Sequence, residues 1–327
     1  MKQRKQKREL IFFAVILLLV LVILYSGLQI LESTVLRPEQ RTELVKTKTV
    51  TRDGVAYFPR QDMTVVLVLG IDRFGPVEES GAYNNRGAAD MNVLLIFDEV
   101  QETCNVIHLN RDTMLQMPVL GVGGRQAGTI YGQLALAHTY GTGLEDSCEN
   151  SRKTVSDLFY GLKIDYYVAM NMDAIGILND AVGGVTVHVT DDFSTVDPTI
   201  TMGELTLKGD QAVSFVRNRA GVGDQLNTSR MERQKEYLNG FAEAFRAAQE
   251  RDPGFLADAY EAASPYIVTD CSVNAISGMI ERYADFEVEE IISPAGRSVL
   301  GEQYYEFYLD EEKLDELILR LLYAPKE

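Results

Sequence analysis

The chain has 327 residues, 46% hydrophobic and 24% charged, with 48 acidic against 31 basic residues and a formal net charge of −17. That balance suits a folded protein rather than a disordered one, and it disfavours a nucleic-acid binder, which needs a net positive face. Three cysteines, three dispersed histidines (His108, His138, His188) and no tryptophan offer neither a disulfide framework nor a zinc spacing such as HExxH or CxxC.

The N-terminus speaks about compartment. Residues 2–8 read KQRKQKR, and Leu10–Tyr25 is an unbroken apolar run that Ser26-Gly27-Leu28 extend. Such a run, at 1.5 Å rise per residue, crosses a hydrocarbon core of roughly 30 Å. It is longer than a signal-peptide core of about 7–15 residues, and Leu24-Tyr25-Ser26-Gly27 is a poor cleavage site. We therefore expect a basic cytoplasmic tail at 1–9 and an uncleaved transmembrane anchor helix at 10–28, with the rest of the chain outside the cell membrane by the positive-inside rule. Beyond residue 9 the chain carries 26 bases against 47 acids, too acidic to coat an anionic surface through its global field. An oxidising compartment would let Cys104 pair with Cys148; three buried thiols are the alternative.

Residues 29–61 are polar and irregular and read as an extracytoplasmic stem. A single domain should then occupy 62–325. Thr64–Gly70 (TVVLVLG) reads as a buried strand. Asn92–Phe97 and Cys104–Leu109 flank a short acidic loop and suggest a hairpin. Gly132–Tyr140 and Ser151–Gly161 have helical spacing. Tyr166–Met170 is a strand, Asp173–Val182 a helix and Val185–Val189 a further strand. Gly209–Phe215 reads as a short helix and Val216–Arg219 as extended. Ser229–Gln249 is a strong helix that Ser229 could cap, with Glu232 three residues on. Two or three helices follow, the last at Asp310–Tyr323. Strands interleaved with helices give an α/β fold, an α-β-α sandwich around a central mixed sheet.

Four segments carry candidate chemistry. Asp72 follows the first buried strand, where ligands gather in open α/β sheets; it could hold a metal or cap a turn. Asp90 precedes the next strand, after a Gly/Asn-rich loop that contains Arg86. Two carboxylates from neighbouring strands can hold a Mg²⁺ that keeps its waters and meets a phosphate; Arg86 could equally be a solvated loop residue. Arg111 and Asp112 end the strand CNVIHL, as site residues or as a surface pair. The densest segment is 216–234, VRNRAGVGDQLNTSRMERQ. If its start is extended, Arg217 and Arg219 share a side. In the following helix Arg230, Arg233 and Gln234 stand at i, i+3 and i+4. Arginine forks bind phosphate bidentately and stay charged, so these arrays suit a multiply charged oxyanion; a solvated helix face is the bland alternative.

Taken in order, LGIDR, the AD after the Gly/Asn loop, NRDT, LALAHTYG, YYVAMNMDAIGILNDAVGGV, LTLKGDQAVSFVRNR and SRMERQKEYL resemble the LytR-CpsA-Psr family over about residues 62–325. The resemblance implies an α-β-α sandwich with an apolar cleft for a lipid. It implies a Gram-positive, membrane-anchored phosphotransferase that moves a glycopolymer (teichoic acid, capsule or another wall polymer) from a polyprenyl-diphosphate carrier onto peptidoglycan. It also implies Mg²⁺, with Mn²⁺ as the alternative ion, on Asp72 and Asp90. The family's phosphate-binding arginines fall on Arg111, Arg217, Arg219 and Arg230, with Arg233 and Gln234 as further recurrent positions. Asp112 follows the family's RD pair as base, ligand or support. One departure is Ala88, where the family usually has an arginine; Arg86 would have to substitute for it.

Arg111, Asp112, Arg217 and Arg219 are thus the expected catalytic set, and helices 132–140 and 173–182 could line the lipid trough. A polyprenyl-diphosphate hydrolase at the same site and a non-enzymatic lipid-binding or regulatory envelope protein are the competing readings.

Overall fold

The computed structural model describes residues 49–325, less residue 53, residues 122–123 and 253–254 and several positions between 273 and 285. The expected anchor at 10–28 lies outside the described residues. Among the described residues no helix is long and apolar enough to cross a membrane.

The chain opens with two short strands, β1 (Val50–Arg52) and β2 (Val55–Pro59), followed by β3 (Met63–Ile71), β4 (Ala89–Asp98), β5 (Thr103–Leu109), β6 (Met114–Leu120) and β7 (Gln126–Gln133). A 3₁₀ helix at Leu134–Thr139 and α1 (Glu145–Leu158) lead to β8 (Tyr166–Asn171), α2 (Met172–Ala181), β9 (Val185–Val189) and β10 (Gly203–Leu207). Then come α3 (Asp210–Arg217), α4 (Asn227–Arg251), α5 (Phe255–Ala263) and β11 (Ile267–Thr269). The chain closes with β12 (Glu287–Ile292), β13 (Gly296–Leu300), β14 (Tyr305–Leu309), α6 (Glu311–Leu322) and β15 (Tyr323–Pro325).

Six strands form the central sheet in the order β11-β8-β3-β4-β5-β12. β3, β4 and β5 are antiparallel neighbours, whereas β8 runs parallel to β3 and β12 parallel to β5. The sheet is mixed, as the sequence implies. Its central strands are apolar on both faces, which is why they read as continuous hydrophobic runs. Val66, Val68, Val93 and Leu95 pack against α2, α3, α4 and α5 through Leu178, Phe215, Phe241 and Ala259. Leu67, Leu69, Leu94 and Ile96 pack the other way, against α1, the 3₁₀ helix and α6 through Val155, Leu134 and Ile318.

Several expectations need correction. The stem does not stay irregular to residue 61: β2 pairs with β1 on one side and with the C-terminal β15 on the other, so Val50–Pro59 already belong to the fold. The segment Gly132–Tyr140 is not one helix, because Gly132 and Gln133 are drawn into a ladder with Leu115 and Met114 of β6. α3 continues through Arg217, and the backbone becomes extended only at Asn218 (φ −67°, ψ 133°). Arg217 and Arg219 therefore do not share a strand face. Ser229 does not cap α4, which starts after Leu226 without a side-chain cap; instead the Asp224 carboxylate accepts from the Leu226 N–H (2.8 Å) and from the Ser229 hydroxyl. Asp310 caps α6 by accepting from the Lys313 N–H at 3.2 Å. Cys104, Cys148 and Cys271 are all free and buried. Cys104 belongs to one core and Cys148 to the other, with the sheet between them, so no disulfide joins them.

Candidate active site

Asp72 and Asp90 arrive together because of sheet register. Gly70 pairs with Met91 and Ile71 with Ala89, which leaves Asp90 as an extra, bulged residue on β4. Strict alternation would send Asp90 and Met91 to opposite faces. The bulge re-aims the strand, and both side chains line the same cleft. One residue beyond β3, the Asp72 N–H donates to the Ala88 carbonyl at 2.8 Å, which places the two aspartates at adjoining strand ends.

The loop between them is pinned from behind. The Asn85 amide donates to the His138 and Gly141 carbonyls (2.7 and 3.1 Å) and to the Ser147 hydroxyl (2.9 Å), and the His138 ring meets the Gly87 carbonyl at 2.8 Å. Within this loop Arg86 has a left-handed backbone (φ 62°) and an exposed side chain. No hydrogen bond or ion pair joins it to the aspartates among the described residues, so the structure does not bring Arg86 into the cluster.

Four arginines do converge. Arg217, at the end of α3, donates from Nε to Asp72 at 2.7 Å. Arg230, in the first turn of α4, donates from Nη1 to Asp90 Oδ2 at 2.6 Å, and Arg111 bonds the other Asp90 oxygen. Arg111 Nε stands 3.3 Å from Asp112 Oδ1, and Arg219 Nη1 stands 3.3 Å from Asp112 Oδ2. Four guanidinium groups thus share three carboxylates, a local excess of positive charge in an acidic protein. Asp90 and Arg230 are buried, at 7% and 3% exposure, whereas Asp72 and Arg217 keep 31% and 38%. The second pair can therefore meet a ligand directly. Burial pushes the Asp112 carboxyl above the usual range, opposed by Arg111, Arg219 and Arg230. It also presses on Arg230, which Asp90 supports, while the Asp72 bond strengthens the protonated state of Arg217.

Arg233 and Gln234 divide from this group. Arg233 is used structurally: Nε donates to the Phe215 carbonyl (3.1 Å), Nη1 to Asp191 (2.5 Å), Nη2 to the Asn218 carbonyl, and its guanidinium lies 5.5 Å from the Phe193 ring centre. It braces the turn that delivers Arg217 and Arg219 and is not joined to the three site carboxylates. Gln234 donates to the Val216 carbonyl at 3.1 Å and lines the cleft.

That cleft is narrow, with a cavity volume of about 60 Å³. Met91, Met170, Met172, Ile175, Leu178, Val216, Tyr237, Leu238 and Phe241 form its apolar wall, and Asp90, Arg217 and Arg230 close one part of it. Of the two segments expected to line a lipid trough, 173–182 lines this cleft, but 132–140 packs on the opposite face of the sheet. α4 takes its place. The signal was present in the sequence: Arg230, Gln234, Tyr237/Leu238 and Phe241 fall on one helical stripe that turns from polar to apolar.

Sequence reading also missed the supporting amides. Asn227 Oδ1 accepts from Arg230 Nε at 3.0 Å and from Nη2, and the Asn227 amide donates to Asn110 Oδ1 at 2.8 Å. The same Asn110 oxygen accepts from the Asp112 N–H at 3.0 Å. Phe74, exposed beside Asp72, lies 5.4 Å from the Arg217 guanidinium. Asn227 one helical turn before Arg230 is a readable signal; nothing in the sequence marks Phe74.

The donor set of Asp72 and Asp90, two hard carboxylates at adjoining strand ends, fits a Mg²⁺ that retains waters and substrate oxygens. Among the described residues no group of three or more His, Cys, Asp or Glu side chains forms a self-sufficient metal cage.

A family model described as LytR_cpsA_psr matches residues 28–321. An Oceanobacillus iheyensis protein named polyisoprenyl-teichoic acid–peptidoglycan teichoic acid transferase TagU is 28% identical over 230 residues, which is 67% of this chain and 64% of that protein. Bacillus subtilis TagT, of the same transferase name, is 25% identical over 267 residues, covering 79% of this chain and 76% of its own. The chain thus spans just under two thirds of the TagU relative. The solved structure of TagT bound to LI-WTA matches with a TM-score of 0.59 at 23% identity, over 80% of this chain and 90% of that one. The fold is shared with that structure, and the family match covers most of the chain: the protein belongs to the LytR-CpsA-Psr family.

Proposed function

We propose that the protein is a membrane-anchored phosphotransferase that moves a glycopolymer from a polyprenyl-diphosphate carrier onto peptidoglycan. The observation that carries this reading is the joining of an apolar cleft to a cluster of arginines and carboxylates through Asp90, Arg217 and Arg230. A long apolar tail ending in a diphosphate has both requirements in one molecule. The names of the curated relatives, which speak of teichoic acid and peptidoglycan, agree with it. The basic tail and apolar run at 1–28 support a single-pass anchor with a cytoplasmic N-terminus and an extracytoplasmic domain.

In this mechanism the polyprenyl tail lies along α2 and α4. Asp72 and Asp90 would hold Mg²⁺, which supplies charge neutralisation when bound. Arg217 and Arg219 turn from their carboxylates to the diphosphate oxygens, while Arg111 and Arg230, held by Asp90 and Asn227, present fixed positive charge. A peptidoglycan hydroxyl attacks the phosphorus attached to the first sugar of the polymer. A new P–O bond forms, the bond to the bridging oxygen breaks, and polyprenyl phosphate leaves. The hydroxyl proton passes to Asp112. Its arginines stand at 3.3 Å, farther than those of Asp72 and Asp90, and burial raises its basicity, as a general base requires. Positioning and charge neutralisation supply most of the rate in such transfers.

The test uses the full chain in detergent with a polyprenyl-diphosphate-linked glycan and peptidoglycan oligomers, with and without Mg²⁺, and mass spectrometry of lipid and glycan products. Mg²⁺-dependent polyprenyl phosphate together with a phosphodiester-linked glycan supports transfer. Phosphorylated glycan free in solution would assign a hydrolase instead. Lipid binding without turnover would assign a carrier or regulatory protein.

A further inference from the structure

Gln133 is the last residue of β7 and stands outside the arginine cluster. Its Nε2 donates to Asp112 Oδ1 at 3.1 Å and to the Tyr305 carbonyl at 2.7 Å. One amide nitrogen has two hydrogens, so both are committed and the group cannot rotate freely. Its other anchor is backbone, at the start of β14. The Asp112 turn is also fastened by β14 and by the 3₁₀ helix that follows β7: Phe307 N–H donates to the Asp112 carbonyl (2.8 Å), Ala135 N–H to the Arg111 carbonyl (3.0 Å) and Leu134 N–H to the Thr113 carbonyl (2.8 Å).

The other partners of the Asp112 carboxylate are Arg111 and Arg219, both charged and both needed by a phosphate. Once Arg219 turns to the diphosphate, with Arg111 still held by Asp90, Gln133 is the neutral side-chain donor that stays with the carboxylate. We propose that Gln133 is a positioning residue that holds Asp112 toward the acceptor during transfer, an inference that rests on Asp112 serving as the base. A neutral amide suits this task because it orients the carboxylate without the charge that would suppress its basicity.

The experiment measures kcat and KM for the lipid donor in the full chain, for Gln133→Met, Gln133→Lys, Asp112→Asn and the Gln133→Met/Asp112→Asn double variant, with thermal melts alongside. Gln133→Met should lower kcat about tenfold to a hundredfold with donor KM within about twofold. Gln133→Lys, which restores an N–H donor but adds a charge that lowers the basicity of Asp112, should recover part of that loss only with the acid limb of the kcat–pH profile moved to lower pH. In the Asp112→Asn background, Gln133→Met should add almost nothing, because its effect passes through Asp112. A loss in Gln133→Met that adds in full to that of Asp112→Asn, a change confined to KM, or an unchanged kcat would overturn the positioning role. An Asp112→Asn variant with near-full kcat would instead overturn the role of Asp112 itself, a separate result. Should Gln133→Met not fold, the Gln133→Lys variant decides: an acid limb of the kcat–pH profile moved to lower pH supports the proposal, because the cation then sits against the base, and an unmoved profile in a folded protein refutes it.

Discussion

The two faces of the central sheet are built from the same strands and end differently. On one face α1, the 3₁₀ helix and α6 close tightly over Leu67, Leu94 and Ile96. On the other, α2, α3 and α4 leave a narrow, largely apolar cleft between themselves and the sheet. Alternation along the strands feeds both faces equally. The difference comes from one bulge and one helix end: the bulge at Asp90 turns a carboxylate toward the cleft, and the N-terminal turn of α4 aims Arg230 at it. A closed face stores stability. An open face with buried ions gives some of it up and, on the proposed function, gains a place for a charged, lipid-tailed molecule.

Substitutions should separate the faces. The largest effect is expected from Arg217→Ala or Asp72→Ala on the open face: turnover falls by about a hundredfold to a thousandfold, with the melting temperature nearly unchanged because both groups are partly exposed. Leu94→Ala on the closed face should do the reverse, costing about 2–5 kcal/mol in urea unfolding with kcat of the folded fraction unaltered. Ile175→Trp, which fills the cleft, should raise donor KM about tenfold while leaving the unfolding midpoint in place; an equal rise for a short-chain donor analogue would contradict lipid occupancy. Phe74→Ala should have the smallest effect, a two- to fivefold rise in donor KM, since an exposed cation–π contact is worth about 0.5–1 kcal/mol.

Acid should probe both faces at once. Burial lowers His108, beside Arg230 and Gln234, and His138, beside Gly87 and Cys148, to about 4 each. The unfolded chain titrates histidine near about 6.5 and so binds more protons than the native state between those values. Their contribution is complete above pH of about 6.5 and is lost as pH falls toward 4, at up to about 1.4 kcal/mol per pH unit for each. Urea unfolding at pH 7.5 and 5 measures the slope. His138→Gln should flatten it from the closed face and His108→Gln from the open one.

Much of this fold is legible in the sequence because the central strands are apolar runs bounded by turn residues. Asp72, Asp90, Arg111, Asp112, Arg217, Arg219 and Arg230 are legible as a set because polar groups stand at strand ends and arginines crowd one segment of an acidic chain. Long-range pairing is not legible. It turns Gly132–Gln133 into strand and brings Val55–Pro59 beside Tyr323–Pro325. Arg233 misleads because helical spacing places it with Arg230, while only the fold shows that Asp191 and two carbonyls take its fork. Gln133 escapes because its partners lie 21 and 172 residues away.

The most direct measurement is photo-crosslinking with a polyprenyl diphosphate that carries a diazirine on its second isoprene unit, mapped by peptide mass spectrometry. Insertion confined to Met172–Ala181 and Asn227–Arg251, and abolished by Ile175→Trp, is the expected result. Insertion into Glu145–Leu158 or Glu311–Leu322, or labelling that Ile175→Trp leaves intact, would contradict the placement of the lipid in the open face and the transfer mechanism built on it.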